Sequence, residues 1–223
     1  MPTENKPAEP LKVERSKVTK LVITGAPRLD AITVFLEDFG RRDCPTESNP
    51  SYQTAQGKIT INCWDNSWNA YWGGMGPRTV AEFVADCDWS YVLNYLDRGI
   101  SSTRFSGSAL HTFAKKCILQ RRRQQTGRHW ELDELSKDEA RELWHDIEVL
   151  RSIESPNECW HHDRLLTELF GDEWHYPVGD KAVEENHDFA YLQRVVEAVQ
   201  AALRQEQQPL VNAHDLVSME FAG

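Results

Sequence analysis

The sequence predicts an α+β fold, an N-terminal antiparallel β-meander of three to four strands followed by a helical C-terminal half. Three observations predict it. Up to Trp72, apolar residues recur in short β-rich runs, the clearest of which alternates with polar residues. After Pro77 they recur at the three-to-four-residue spacing of helices. The connections around the best-defined run are too short for anything but antiparallel pairing.

Residues 1–16 are polar and proline-rich and read as a disordered leader. Val18, Leu21, Val22 and Ile23 form a first strand closed by Gly25-Ala26-Pro27. Ile32, Val34, Leu36 and Phe39 form a second, ended by Gly40, and residues 41–56 read as a long exposed loop. From Gly57, Ile59, Ile61 and Cys63 alternate with Lys58, Thr60 and Asn62, the pattern of a half-buried strand. Asp65-Asn66-Ser67 supplies turn chemistry, and residues 67–72 return as the partner strand.

The rest is helical. Pro77 suits a helix first turn, with Val80, Phe83 and Val84 as its apolar stripe. Tyr91, Val92, Tyr95 and Leu96 mark a second short helix stopped at Gly99, and residues 100–107 read as a serine-rich linker. A helix over 108–124 places Leu110, Phe113, Ala114, Cys117 and Ile118 on one face. Ser136 and Glu139 make a capping box for a helix to about Ile153. Residues 160–170 form a short helix ended by Gly171, and 184–205 a long amphipathic one carrying Phe189, Leu192, Val196, Val199 and Leu203. The organisation is a leader over 1–16, a meander with two short helices over 17–100, a helical region over 101–205 and a loose tail over 206–223.

Hydrophobic residues at 40% exclude wholesale disorder. A formal charge of −10 argues against whole-surface nucleic-acid binding and fits a basic protein partner or plain solubility. The five cysteines, at 44, 63, 87, 117 and 159, are odd in number and include no C-x-x-C pair, so neither a disulfide framework nor a zinc ribbon is indicated. Free thiols, a polar N-terminal segment and the lack of any apolar run of about 20 residues point to the cytoplasm.

With the turn at 65–67, Trp64 lies opposite Trp68, Asn62 opposite Ala70 and Thr60 opposite Trp72. One hairpin face is then aliphatic, with Ile59, Ile61, Cys63 and Tyr71, and the other collects the three tryptophans. Such a face is a partner hot spot, a base-stacking platform, or core covered by the helices after Pro77. Trp64, Trp68, Trp72 and the nearby Arg78 are therefore the expected partner-binding residues. Gly73-Gly74-Met75-Gly76 lacks nucleotide-binding spacing and reads as a tight turn. Arg78 beside the following helix N-terminus leaves a phosphate-cradling role to be tested.

Lys115, Lys116, Arg122 and Arg123 share one side of their helix, a basic stripe whose expected state is a solvated face compensated by the acids between Glu131 and Asp146. Four His-Asp dipeptides, at 145–146, 162–163, 187–188 and 214–215, resemble the metal-binding pairs of one phosphohydrolase class. None has flanking histidines that single it out. No catalytic residue, metal ligand or cofactor is assigned.

The stretch from Lys58 to Leu96 resembles uncharacterised accessory proteins encoded by tailed phages and prophages of enterobacteria. The resemblance is carried by a strand, the W-x-A-Y-W-G-G-M-G turn (Trp68 to Gly76), a helix, and the following Cys87, Asp88 and Tyr91; Val92 stands where the family has leucine. It covers about residues 57–96 and leaves out the C-terminal half. It implies a setting, the cytoplasm of a phage-carrying bacterium, and no catalytic residues. The expected function is a non-enzymatic accessory protein that binds and modulates a host or phage complex, such as defence or nucleic-acid-processing machinery. A protein partner is favoured over direct nucleic-acid binding. The alternative is a metal-dependent phosphohydrolase acting on nucleotides or nucleic acid through the His-Asp pairs.

Overall fold

The computed structural model describes residues 12–13, 15–123 and 133–208. Most of the expected leader and tail, His214-Asp215 and Glu131 lie outside the described residues. The architecture is α+β, a four-strand antiparallel meander followed by a mostly helical half. The chain forms two compact units, one of residues up to Gly99 and from Leu192 on, the other Ile100–Tyr191.

In the first unit the strands are β1 (Thr19–Ile23), β2 (Ile32–Asp43), β3 (Gln53–Cys63) and β4 (Asn66–Trp72), hydrogen-bonded in chain order. One sheet face is apolar and buried: Ile32, Val34, Leu36, Ile59, Ile61, Cys63, Ala70 and Trp72. It packs in one core with α1 (Val80–Asp86), α2 (Trp89–Leu96) and the buried Val195, Val196, Val199 and Leu203 of α7 (His187–Gln207).

Two expectations fail here, each for a physical reason. Gly40 does not end β2. Its φ of 80° accommodates a bulge at Asp38/Arg41, after which pairing resumes from Arg41↔Ala55 to Asp43↔Gln53, so strand takes both ends of the expected 41–56 loop and leaves residues 44–52 outside the strands. The β3–β4 turn is Trp64-Asp65, because Cys63 pairs with Asn66. Trp72 is thus opposite Gly57 instead of Thr60, and Trp68 opposite Ile61 instead of Trp64. A slip of three residues is odd, and an odd slip transfers the whole strand to the other face. Trp68, Ala70 and Trp72 therefore share the aliphatic face, and Tyr71 turns outward, half exposed, donating from its hydroxyl to Gln56 Oε1 at 2.9 Å.

Gly57 makes this register sterically feasible. A Cβ there would meet Val80 Cγ2 and lie 2.6 Å from the Glu37 carbonyl. Met75, fully buried, donates its amide to Ala55 O at 2.9 Å while Gly76 O accepts from Ala55 N at 2.7 Å. The glycine turn is thereby stitched to β3. Helix α1 starts later than Pro77: Thr79 is its N-cap, Glu82 closes the capping box, and Asp38 Oδ1 accepts from Val80 N at 2.8 Å.

The second unit is built on α3 (Gly107–Arg122), with α4 (Lys137–Asp146), α5 (Asp163–Phe170), α6 (His175–Lys181) and 3₁₀ turns at Ile147–Ser152 and Pro156–His162. The expected linker over 100–107 contains β5 (Thr103–Phe105), paired antiparallel with β6 (Val183–Glu185). The capping box forms as read, Ser136 N donating to Glu139 Oε2 at 2.7 Å. The core joins Leu110, Ala114, Ile118, Leu143, Leu150 and Leu166, with the Phe113 and Phe170 rings stacked 4.6 Å apart.

Each unit has the same device at the end of a short helix. The last carbonyls of a helix have no partner within it. In the first unit Gln200 Nε2 donates to Val84 O and Cys87 O, both at 2.8 Å, and Arg204 Nε to Ala85 O at 2.9 Å. In the second, the Cys117 thiol donates to Leu169 O at 3.0 Å and Arg121 Nη1 to Glu168 O at 2.7 Å. Burial pushes the Cys117 thiol up to about 11, which keeps it protonated as a donor. In both cases the donors sit four residues apart on one face of a longer helix.

Candidate partner-binding surface

The structure separates the expected site residues. Trp64 occupies the first position of the two-residue β3–β4 turn with φ of 55° and is 77% exposed. Two-residue hairpin turns need positive φ there and favour Gly, Asn or Asp. A bulky side chain in that region costs roughly 1–3 kcal/mol. Trp68 is half buried on the core face.

Trp72 is core, only 3% exposed, its ring centroid 5.5 Å from that of Phe83 and 5.6 Å from that of Tyr95. Among the described residues its buried indole N–H has no hydrogen-bond partner. The Tyr91 and Tyr95 rings approach to 4.7 Å, and burial is the main cause pushing the Tyr91 hydroxyl up to about 12, with Tyr95 adding to it. The residues carrying the family likeness thus converge on packing: Met75 fills the core, Gly76 has φ of 65°, and Asp88 caps α2 through Ser90 N at 2.8 Å.

Arg78 is tied to its own unit. Its Nε donates to Met75 O at 3.3 Å, its guanidinium lies over Phe83 at 4.9 Å, and Nη1 stands 3.7 Å from Asp86. The amides at the start of α1 are served by Asp38 and Thr79.

The described His-Asp pairs do not converge. Asp163 accepts from Trp174 Nε1 at 2.9 Å, a support for a buried indole, and the Asp188 amide donates to Asn186 Oδ1 at 3.1 Å in a local turn. Among the described residues no group of three His, Cys, Asp or Glu side chains is placed to hold a metal ion. No described helix is long and apolar enough to cross a membrane.

Lys116, Arg122 and Arg123 of the basic stripe are exposed, the solvated face that was expected. Lys115 pairs with Glu148 at 3.6 Å, but among the described residues Lys116, Arg122 and Arg123 form no ion pair. The sequence reading missed Leu119 and Trp144, which lie between these cations. The available signal was Leu119, an apolar residue set off the Leu110–Ile118 face.

Comparison with known proteins places the chain among phage proteins. Residues 11–205 match Phage_phiTE_072, a phage family, and the chain belongs to it. The match extends well past the 57–96 resemblance and includes the C-terminal half. No curated protein matches the chain. No solved structure matches it either.

Proposed function

We propose that this phage protein is a non-enzymatic accessory factor that binds a host or phage protein complex in the bacterial cytoplasm, and that the β3–β4 hairpin tip is its contact. The observation that carries the reading is Trp64. A large indole is held in a left-handed turn position, 77% exposed, where glycine would be cheaper. Exposed tryptophans contribute disproportionately to protein interfaces, since one indole buries a large apolar area on contact. Of the other expected contacts, Trp68 is the nearest along β4, whereas Trp72 and Arg78 act through the fold behind it. Defence or nucleic-acid-processing machinery of an enterobacterial host is the class of complex the phage setting suggests.

The test is affinity capture of the tagged protein and its Trp64→Gly variant from a phage-infected host. The expected result is a partner recovered in fixed ratio with the parent chain and lost from the variant, which melts no lower than the parent. Equal recovery with Trp64→Gly removes the hairpin tip from the interface. Recovery of no partner by either chain removes the binding reading itself.

A further inference from the structure

Helices α3 and α4 border a surface groove within the second unit. Its two parts, of about 440 Å³ and 260 Å³, meet at Leu119 and Trp144, which are 41% and 37% exposed. Lys116 and Arg123 line the larger part; Arg122, Lys137 and Arg141 line the smaller. Among the described residues neither part has an Asp or Glu in its lining, although the chain carries 35 acidic residues and a formal charge of −10. Among the described residues Lys116, Arg122, Arg123 and Lys137 make no ion pair, while Arg141 is held by Asp138 at 2.9 Å.

We propose that this groove binds an acidic amphipathic segment of another protein. Carboxylates of the segment pair with Lys116, Arg122, Arg123 and Lys137, and aliphatic side chains between them pack on Leu119 and Trp144. Charge complementarity demands an anionic occupant, and the apolar floor demands an anchor that polyanions lack. Nucleic acid is the competing class, and two observations disfavour it. Among the described residues Trp144 is the one aromatic side chain lining either part, and the Lys115 ammonium already lies over its ring at 4.9 Å. A single-strand platform presents successive free aromatic faces. The net charge of the chain also repels a long polyanion, whereas a short acidic segment meets only the local cations, within a screening length of about 8–10 Å.

The groove is independent of the hairpin tip, and failure of either proposal leaves the other standing. The test uses the full chain and three fluorescein-labelled probes: a glutamate-leucine amphipathic peptide as long as α3 (16 residues), its glutamine-for-glutamate counterpart, and a single-stranded DNA of similar length. Fluorescence anisotropy should show saturable binding of the glutamate peptide, at least about tenfold tighter than its glutamine counterpart. The paired substitutions Lys116→Glu and Arg123→Glu, and separately Leu119→Asp, should each weaken it about tenfold in chains that melt like the parent. Absence of saturable peptide binding, equal binding of the glutamine peptide, unchanged binding by the charge-reversed chain, or preference for the DNA would each overturn the proposal.

Discussion

Arg151 donates its Nε–H to Nδ1 of the buried His111 at 3.2 Å, which assigns the imidazole proton to Nε2. From there His111 donates to Glu148 Oε1 at 3.1 Å. Glu148 also receives Arg151 at 3.3 Å and Lys115 at 3.6 Å. A histidine in the interior is thus held between a cation and a carboxylate with both ring nitrogens satisfied.

The His111 hydrogen bond, followed by Arg151, holds the Glu148 carboxyl below the ordinary glutamate value of 4.5. A carboxyl lowered on folding adds stability above its unfolded value and loses it as pH falls through the folded one. Glu148→Gln should therefore lower stability at neutral pH. It should also flatten the decline below about pH 4.5 in urea unfolding series run across the acid range.

Replacing Arg121 by methionine keeps much of the side chain's volume but leaves Glu168 O and Asp133 O, now served at 2.7 and 3.0 Å, without their donor. Arg121 is 7% exposed, so water does not readily substitute. The expected loss is about 1–3 kcal/mol in chemical denaturation. Gln200→Leu should cost a similar amount by orphaning Val84 O and Cys87 O.

Gly57→Ala should destabilise the first unit by about 1–3 kcal/mol, because the new methyl group meets Val80 and the Glu37 carbonyl together. Trimming Val80 to alanine in the same chain should restore only part of the loss, since the carbonyl at 2.6 Å belongs to the backbone. Thermal melts of the single and double variants check both statements.

Trp64→Gly should raise stability by about 1 kcal/mol through relief of the left-handed strain, offset in part by glycine's greater freedom when unfolded. Trp64→Val should lower it, because a β-branched side chain tolerates positive φ worse still. The ordering Gly above Trp above Val in melting temperature is the expected readout.

What was legible in the sequence was what local chemistry decides. The Ser136/Glu139 capping box, the period-two run from Ile59 to Cys63 and the apolar stripes of α3 and α7 depend on near neighbours, and they form as read. The hairpin register was not legible. Asp65-Asn66-Ser67 has turn composition, but the turn lies one step earlier, where Trp72 can enter the core opposite Gly57. Gly40 looks like a strand end, and only the resumed pairing beyond it reveals a bulge. Strands β5 and β6 have three residues each and Arg104 meets Glu184 across 80 positions, too little pattern over too long a span. The candidate contacts divide the same way. Tryptophan content was visible, but which indole faces solvent is a question of register.

The side-chain donors at the ends of α1 and α5 have a consequence for how the protein opens. Helix ends normally fray first, one residue at a time. Here the terminal carbonyls of α1 are held by Gln200 and Arg204, and those of α5 by Cys117 and Arg121, so neither end can peel away while the longer helix stays docked. In hydrogen exchange, the last turns of α1 and α5 should be protected to the same depth as the middle of α7 and α3 respectively. Each short helix and its long neighbour would then exchange as one cooperative block rather than from the tip inward.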